Sequence, residues 1–263
     1  MIKNLCQTVC WFALGISLVS GAVAEVRTGT VDYTHEGVKL QGFLAWDDRS
    51  DAKRPGVLVI HEWWGLNDYA RERAVQLAEQ GYVAFALDMY GDGKATSHPD
   101  EASAWMKEVQ QNLAQWVQRA NAGLEVLKKQ AVVDTQKLAA IGYCFGGATV
   151  MQMAYAGLDL DAVASFHGSL PTPAQDAPAD IKARILVAHG NADPFVPADK
   201  VAAFRQALET AGAHWTMMEF GGVKHSFTNP SAGSYGIDAL AYDEQADEQS
   251  WQMLLWLLQD TFR

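Results

Sequence analysis

The chain has 263 residues, 49% of them apolar, with 22 glycines and 8 prolines, a balance that excludes disordered and fibrous architectures. Thirty-one acidic residues against 20 basic ones give a formal net charge of −11, which argues against a nucleic-acid backbone or an anionic membrane as the main partner. A chain of this length can bury roughly 70–75% of its extended surface around one core, which suits a single α/β domain.

Residues 1–24 read as a signal peptide rather than as part of the fold. Lys3 supplies a positive charge, Val9–Val19 is an almost uninterrupted apolar run, and Ala22-Val23-Ala24 has the small-x-small pattern of a cleavage site. The run is short for a bilayer span and polar sequence follows at once, so the expected location is periplasmic or secreted, with no membrane contact after cleavage. Removal after Ala24 leaves 239 residues with 19 basic and 31 acidic side chains. Cys6 and Cys10 leave with the segment, so Cys144 stands alone and no internal disulfide forms.

The domain expected over residues 25–263 opens with two partly alternating segments, Arg27–Thr34 and Lys39–Trp46, around His35-Glu36-Gly37, which predicts a hairpin. Gly56–His61 is a continuous apolar run, the pattern of a strand buried on both faces. Asn67 caps an expected helix with Ala70, Ala74, Leu77 and Ala78 on one side and Gly81 at its end. Tyr82–Leu87 is the next strand. Ser97-x-x-Asp100 resembles a capping box, and apolar residues at steps of three and four from Ala102 to Leu127 predict one long amphipathic helix. Further along come a strand at Lys137–Tyr143, a helix at Gly147–Ala156 and a strand at Ala162–His167. A loop at Pro171–Asp180 precedes a strand at Arg184–His189, a helix at Pro197–Ala211, a strand at Trp215–Phe220 and a final helix marked by Ala239 through Leu257. The alternation implies one domain with a mostly parallel sheet and helices on both faces.

Chemistry in such a sheet gathers at the carboxyl ends of its strands, where Glu62, Cys144, Asp193 and His225 fall. Gly142-Tyr143-Cys144-Phe145-Gly146-Gly147 is a strand end, a cysteine and a helix start with glycine two residues to either side. That is a nucleophile elbow with cysteine in place of serine, and the helix N-terminus behind it favours thiolate. A lone thiol is only a few per cent ionised at pH 7 and needs a base. His225, in a glycine-rich turn, is the candidate, and Asp193, in the loop after Arg184–His189, can fix its tautomer. Glu62 directly follows a buried strand and precedes Trp63 and Trp64. It is read either as a salt-bridge partner of Arg71 or as a carboxylate facing Cys144, where a like charge would disfavour the resting thiolate until substrate arrives. The backbone N–H groups of Trp63 and Phe145 are candidate oxyanion donors. His167 and His189 end strands and are expected to wall the pocket. Metal-ligand spacing such as H-E-x-x-H is missing, and the expectation is no metal and no cofactor.

With these residues placed, the chain resembles the dienelactone hydrolase family of α/β-hydrolases. The matching pieces are His61-Glu62-Trp63-Trp64-Gly65-Leu66-Asn67, Asp88-Met89-Tyr90, the elbow around Cys144, Asn191-Ala192-Asp193-Pro194 and Gly222-Val223-Lys224-His225-Ser226-Phe227. The resemblance implies an α/β-hydrolase fold, Cys144 as nucleophile, His225 as base, Asp193 as its orienting acid and Glu62 in thiol activation. It also implies a small-molecule ester or lactone substrate, no cofactor, and a monomer or weak homo-oligomer. Members acting on dienelactone hold the substrate carboxylate with two arginines. Here Lys94–Gln118 contains none and Asn229 occupies the second position, which points to a different, uncharged ester or lactone. Lys94 and Lys107 are the candidate substitutes, and a lysine lacks the planar fork. The competing readings are a non-catalytic binding protein on the same fold, and thiol-dependent acyl transfer or redox chemistry.

Overall fold

The computed structural model describes residues 26–173 and 181–263. The expected signal peptide and residues 174–180 of the expected loop lie outside the described residues. Eight strands form one sheet: β1 (Val26–His35), β2 (Val38–Asp47), β3 (Arg54–Ile60), β4 (Val83–Leu87), β5 (Val133–Tyr143), β6 (Ala162–Phe166), β7 (Arg184–Gly190) and β8 (Trp215–Phe220). Their order is β1-β2-β4-β3-β5-β6-β7-β8. The β1–β2 and β2–β4 pairs are antiparallel and every other pair is parallel. The hairpin forms as expected: His35 pairs with Val38, and Glu36 and Gly37 both take positive φ, as a two-residue turn between twisted strands requires.

The continuous apolar strands are explained by cover on both sides. Leu58 and Ile60 of β3 join one core with Trp116, Leu124, Met151 and Phe204. Their neighbours Val57 and Val59 join a second core with Ala70, Leu77, Leu254 and Leu258. Helices α1 (Asp68–Glu79) and α6 (Glu244–Thr261) therefore cover one face. Helices α3 (Leu113–Lys128), α4 (Phe145–Tyr155) and α5 (Ala198–Thr210) cover the other. This is a single α/β domain with helices on both sides of its sheet.

The expected long helix is two helices, α2 (Pro99–Gln110) and α3, and this corrects the periodicity reading. Asn112 turns out of the helix at φ −130 and its side chain accepts from the Gln115 N–H, starting α3 afresh. The apolar steps of three and four run through the break because both segments face the core. The capping box is also corrected. Ser97 lies outside α2, whose N-cap is His98 without a side-chain bond, and the helix begins instead on Pro99 at its first turn. The remaining differences are shifted ends: β5 starts at Val133, α4 at Phe145 and α6 at Glu244 behind the capping Asp243.

Asp88, fully buried after β4, organises the loop that leads toward the site. Its carboxylate accepts from the backbone N–H groups of Gln41, Tyr90, Gly91 and Gly93. Asp88→Ala strands these donors, so a stability loss of about 3–5 kcal/mol is expected in urea unfolding. A loss below about 1 kcal/mol would mean that water replaces the carboxylate.

Candidate active site

Cys144 sits between β5 and α4 with φ 54 and ψ −111, a conformation that L-residues rarely adopt and that costs on the order of 1–3 kcal/mol. The flanking glycines make it sterically accessible. A Cβ on Gly142 would lie 2.1 Å from the Gly146 carbonyl oxygen, and one on Gly146 would lie 2.2 Å from that of Ile60. Gly146→Ala must therefore push α4 away from β3, and a loss of about 3 kcal/mol in stability is expected by urea unfolding. Unchanged stability would show that the elbow relaxes without strain. The Cys144 N–H donates to the Phe166 carbonyl at 3.0 Å, which fixes the turn against β6. The side chain is only partly buried.

His225 follows β8 and is held from both sides, its N–H donating to Ala239 and its carbonyl accepting from Ala241, each at 3.1 Å. Its Nδ1–H donates to Asp193 Oδ2 at 2.6 Å, and Asp193 Oδ1 accepts from the Phe195 N–H at 2.8 Å. The same ring lies near enough to Cys144 for the two to interact. Burial works against the imidazolium, but the Cys144 thiolate and the Asp193 carboxylate outweigh it and push the His225 pKa up to about 10. The sequence-predicted cysteine, histidine and aspartate are thus brought together in one row.

Glu62 is fully buried, and its charge is not met by Arg71, which pairs with Asp68 at 3.7 Å. The salt-bridge alternative is corrected accordingly. Ser226 Oγ donates to Glu62 Oε1 and Asn229 Nδ2 to Oε2, both at 2.6 Å. Burial raises the Glu62 pKa, partly opposed by these two bonds and by nearby His225. Asn229 is therefore engaged with Glu62, and Lys94 lies over the Trp105 ring at 4.6 Å. The Trp63 and Phe145 backbone N–H groups donate to no other described residue.

Around this row, His167 stands edge-on to His225 at 5.1 Å and shares a hydrogen bond with Thr228 Oγ1 at 2.8 Å. Burial holds its pKa well below the usual value for histidine, so it is neutral. Phe195, 52% exposed, stands edge-to-face with His225, ring centres 5.1 Å apart. Tyr90 packs on Phe145 and Trp105, and its buried hydroxyl has no partner among the described residues. Arg73 was not singled out by the sequence. It donates to the Thr228 carbonyl at 2.6 Å and pairs with Asp247 at 2.5 Å, anchoring the turn that carries Ser226 and Asn229. Its signal was present, because Arg73 occupies the i+3 position of the apolar stripe Ala70, Ala74, Leu77. Among the described residues no group of three or more His, Cys, Asp or Glu side chains is arranged to hold a metal ion, and no helix is long and apolar enough to cross a membrane.

Comparison with known proteins gives the same frame. Protein usf of Aquifex pyrophilus is 30% identical over 228 residues, spanning 85% of this chain and 94% of that protein. The solved structure of a dienelactone hydrolase-like promiscuous phosphotriesterase from metagenomic libraries superposes with a TM-score of 0.88 at 38% identity, covering 91% of this chain and 99% of that one. That of m3DLH gives 0.86 at 35% identity, covering 90% and 98%. The profile of the Dienelactone hydrolase family matches residues 40–262, and with its elbow cysteine beside a histidine–aspartate pair the chain belongs to that family, as a cysteine-dependent hydrolase of the dienelactone hydrolase type.

Proposed function

We propose that this protein hydrolyses uncharged carboxylic esters or lactones through a thioester on Cys144. The observation that carries the proposal is the His225 ring, bonded through Nδ1 to Asp193 at 2.6 Å and interacting with Cys144. In the first half-reaction the thiolate attacks the substrate carbonyl carbon. The developing oxyanion is received by the backbone N–H groups of Trp63 and Phe145. The tetrahedral species collapses as the alkoxide leaves with the proton of the His225 imidazolium, giving a thioester; in a lactone the alcohol stays tethered. In the second half-reaction His225 takes a proton from water, the hydroxide attacks the thioester carbonyl, and the thiolate is expelled as the acid forms. Glu62 acts on thiol activation through its charge near His225 and its bonds to Ser226 and Asn229.

The preference for an uncharged substrate is supported by the engagement of Asn229, at the position of the second arginine, and of Lys94, one of the two lysines that could replace the first. Asn229 is spent on Glu62 and Lys94 on Trp105. A panel of neutral esters, neutral lactones and an acidic dienelactone tests it, with acyl-enzyme mass as a second readout. Turnover of neutral members with a transient acyl adduct on Cys144 is expected, with the acidic lactone at least about tenfold slower. A faster acidic lactone overturns the substrate preference, and no turnover by any member overturns the hydrolase reading. A neutral aryl phosphotriester belongs in the panel, because the 38% identical neighbour is described as a promiscuous phosphotriesterase. Export by removal of residues 1–24 is part of the same proposal, supported by the apolar run and cleavage pattern. N-terminal sequencing of protein from the periplasm or medium tests it, and an intact Met1 or Ile2 there would refute it.

A further inference from the structure

The candidate oxyanion donor at Trp63 belongs to the peptide that joins it to Glu62, so whatever holds the Glu62 carbonyl also aims the Trp63 N–H. In a planar trans peptide the two groups point in opposite directions. The Glu62 carbonyl accepts from the Nδ1–H of His61 at 2.5 Å, with a longer bond from the Gly65 N–H at 3.3 Å. A carbonyl only accepts, so Nδ1 of His61 carries the proton. On the other side of the ring the Met89 N–H donates to Nε2 at 3.3 Å, and an amide N–H only donates, so Nε2 is bare. The ring is completely buried and packs against Tyr90 and Phe145. Its own carbonyl accepts from the Gly146 N–H at 3.1 Å, which ties the same residue to the helix behind Cys144. Both ring nitrogens of His61 are taken by backbone groups, the Glu62 carbonyl and the Met89 N–H, and acid–base work is not its place.

We infer that His61 is a positioning residue: by fixing the tilt of the 62–63 peptide it aims the Trp63 N–H at the oxyanion, and by its carbonyl it registers that donor against the Phe145 N–H on the elbow helix. The inference rests on the proposed hydrolase reading for its biological meaning. Its physical content, an oxyanion site aimed by His61, is testable without turnover. A side chain that merely filled space would be replaced by leucine at no cost to the oxyanion. An asparagine would restore the pin, because its Nδ2 can stand where the imidazole Nδ1 does.

The test uses the mature protein and its His61→Leu and His61→Asn variants with two probes of Cys144. Iodoacetamide alkylates the thiolate by displacement and needs no oxyanion donor. Trifluoroacetophenone adds the thiolate to its carbonyl and places an oxyanion in the hole, read by fluorine NMR. The expected result is a hundredfold weaker ketone adduct in His61→Leu, at least tenfold recovery in His61→Asn, and alkylation rates within threefold of each other in all three proteins. Where an ester substrate is available, kcat falls with the adduct while KM moves less than threefold. Equal ketone affinity in wild type and His61→Leu overturns the inference, as does a parallel fall in alkylation, which would signal a general collapse of the site. A wild type that forms no ketone adduct also overturns it. A wild type that forms the adduct but hydrolyses nothing in the panel refutes the proposed function and leaves the role of His61 intact.

Discussion

Cys144→Ala and Cys144→Gly are both expected to abolish ester and lactone hydrolysis, by about 10⁴-fold or more, while differing from each other in stability. The loss of rate follows from removing the atom that becomes bonded to substrate. What survives is the contribution of binding and of the oxyanion donors alone, and losses of this size are typical when a nucleophile acting as part of a unit is deleted. The difference in stability follows from the backbone. At φ 54 and ψ −111 alanine bears the same strain as cysteine, of about 1–3 kcal/mol, whereas glycine does not. Glycine gives back roughly 0.5–1 kcal/mol through the larger freedom of its unfolded chain. The net expectation is a Cys144→Gly protein about 1 kcal/mol more stable than Cys144→Ala in urea unfolding at equal m-value. Equal stabilities would mean that the elbow stores no strain. Retained turnover in either variant would remove Cys144 from the mechanism.

The same variants separate fold from site in pH dependence. His225 in the folded protein has its pKa pushed up to about 10, above the ordinary value of 6.5. A group raised on folding contributes stability that is fully present below about pH 6.5 and is lost as pH rises through about 10. The contribution of His225 to wild-type stability is therefore expected to fade across that window. Removing the thiolate removes one cause of the rise, so His225 is expected to lose its proton at lower pH in Cys144→Ala than in the wild type, as followed by NMR of the imidazole. An unchanged titration in the variant would show that Cys144 does not hold the proton on His225.

Much of this arrangement could be read in the amino-acid order because it rests on local rules. The elbow is visible since Gly142 and Gly146 must be glycine where backbone carbonyls stand 2.1 and 2.2 Å from a Cβ. The buried strands are visible since alternate residues enter two different cores, leaving no polar face to write. The break between α2 and α3 was hidden because both helices turn an apolar side to the same core, so periodicity alone joins them. Only Asn112, a good cap in the middle of the run, marked the division. The partners of Glu62 were hidden for a different reason. Arg71 is near in sequence and opposite in charge, but it lies 40% exposed on α1 beside Asp68, and the buried carboxylate is reached instead by Ser226 and Asn229 from more than 160 residues away. Side chains from distant turns meet through the sheet topology, and no spacing rule encodes that meeting. The orientation of the 62–63 peptide is of the same kind, since it depends on the Nδ1 of a histidine whose other nitrogen is fixed by Met89 on a separate loop.

Asp193→Asn is expected to lower kcat by about 10³–10⁴-fold although it changes the volume of the site hardly at all. The carboxylate accepts from His225 Nδ1 at 2.6 Å and so keeps the proton on that nitrogen whenever the ring is neutral. Nε2 is then bare and can take a proton from water in deacylation. Asparagine has two ways to sit. The Phe195 N–H at 2.8 Å needs an acceptor, so the amide oxygen is drawn to it and the NH₂ group is turned toward Nδ1. An NH₂ group can only donate there, which makes Nδ1 the acceptor and moves the ring proton to Nε2, the nitrogen needed as base. The variant also loses a negative charge that supports the imidazolium, so the His225 pKa falls and thiolate formation at neutral pH falls with it. Two measurements divide these effects. Iodoacetamide alkylation of Cys144 reports the loss of thiolate and is expected to drop about tenfold. Single-turnover decay of the acyl-enzyme reports the loss of the base, and it is expected to slow by about 10³–10⁴-fold and so to set kcat. A fall confined to alkylation would make Asp193 an electrostatic support with no hold on the tautomer, and a total fall below tenfold would remove it from the catalytic row altogether.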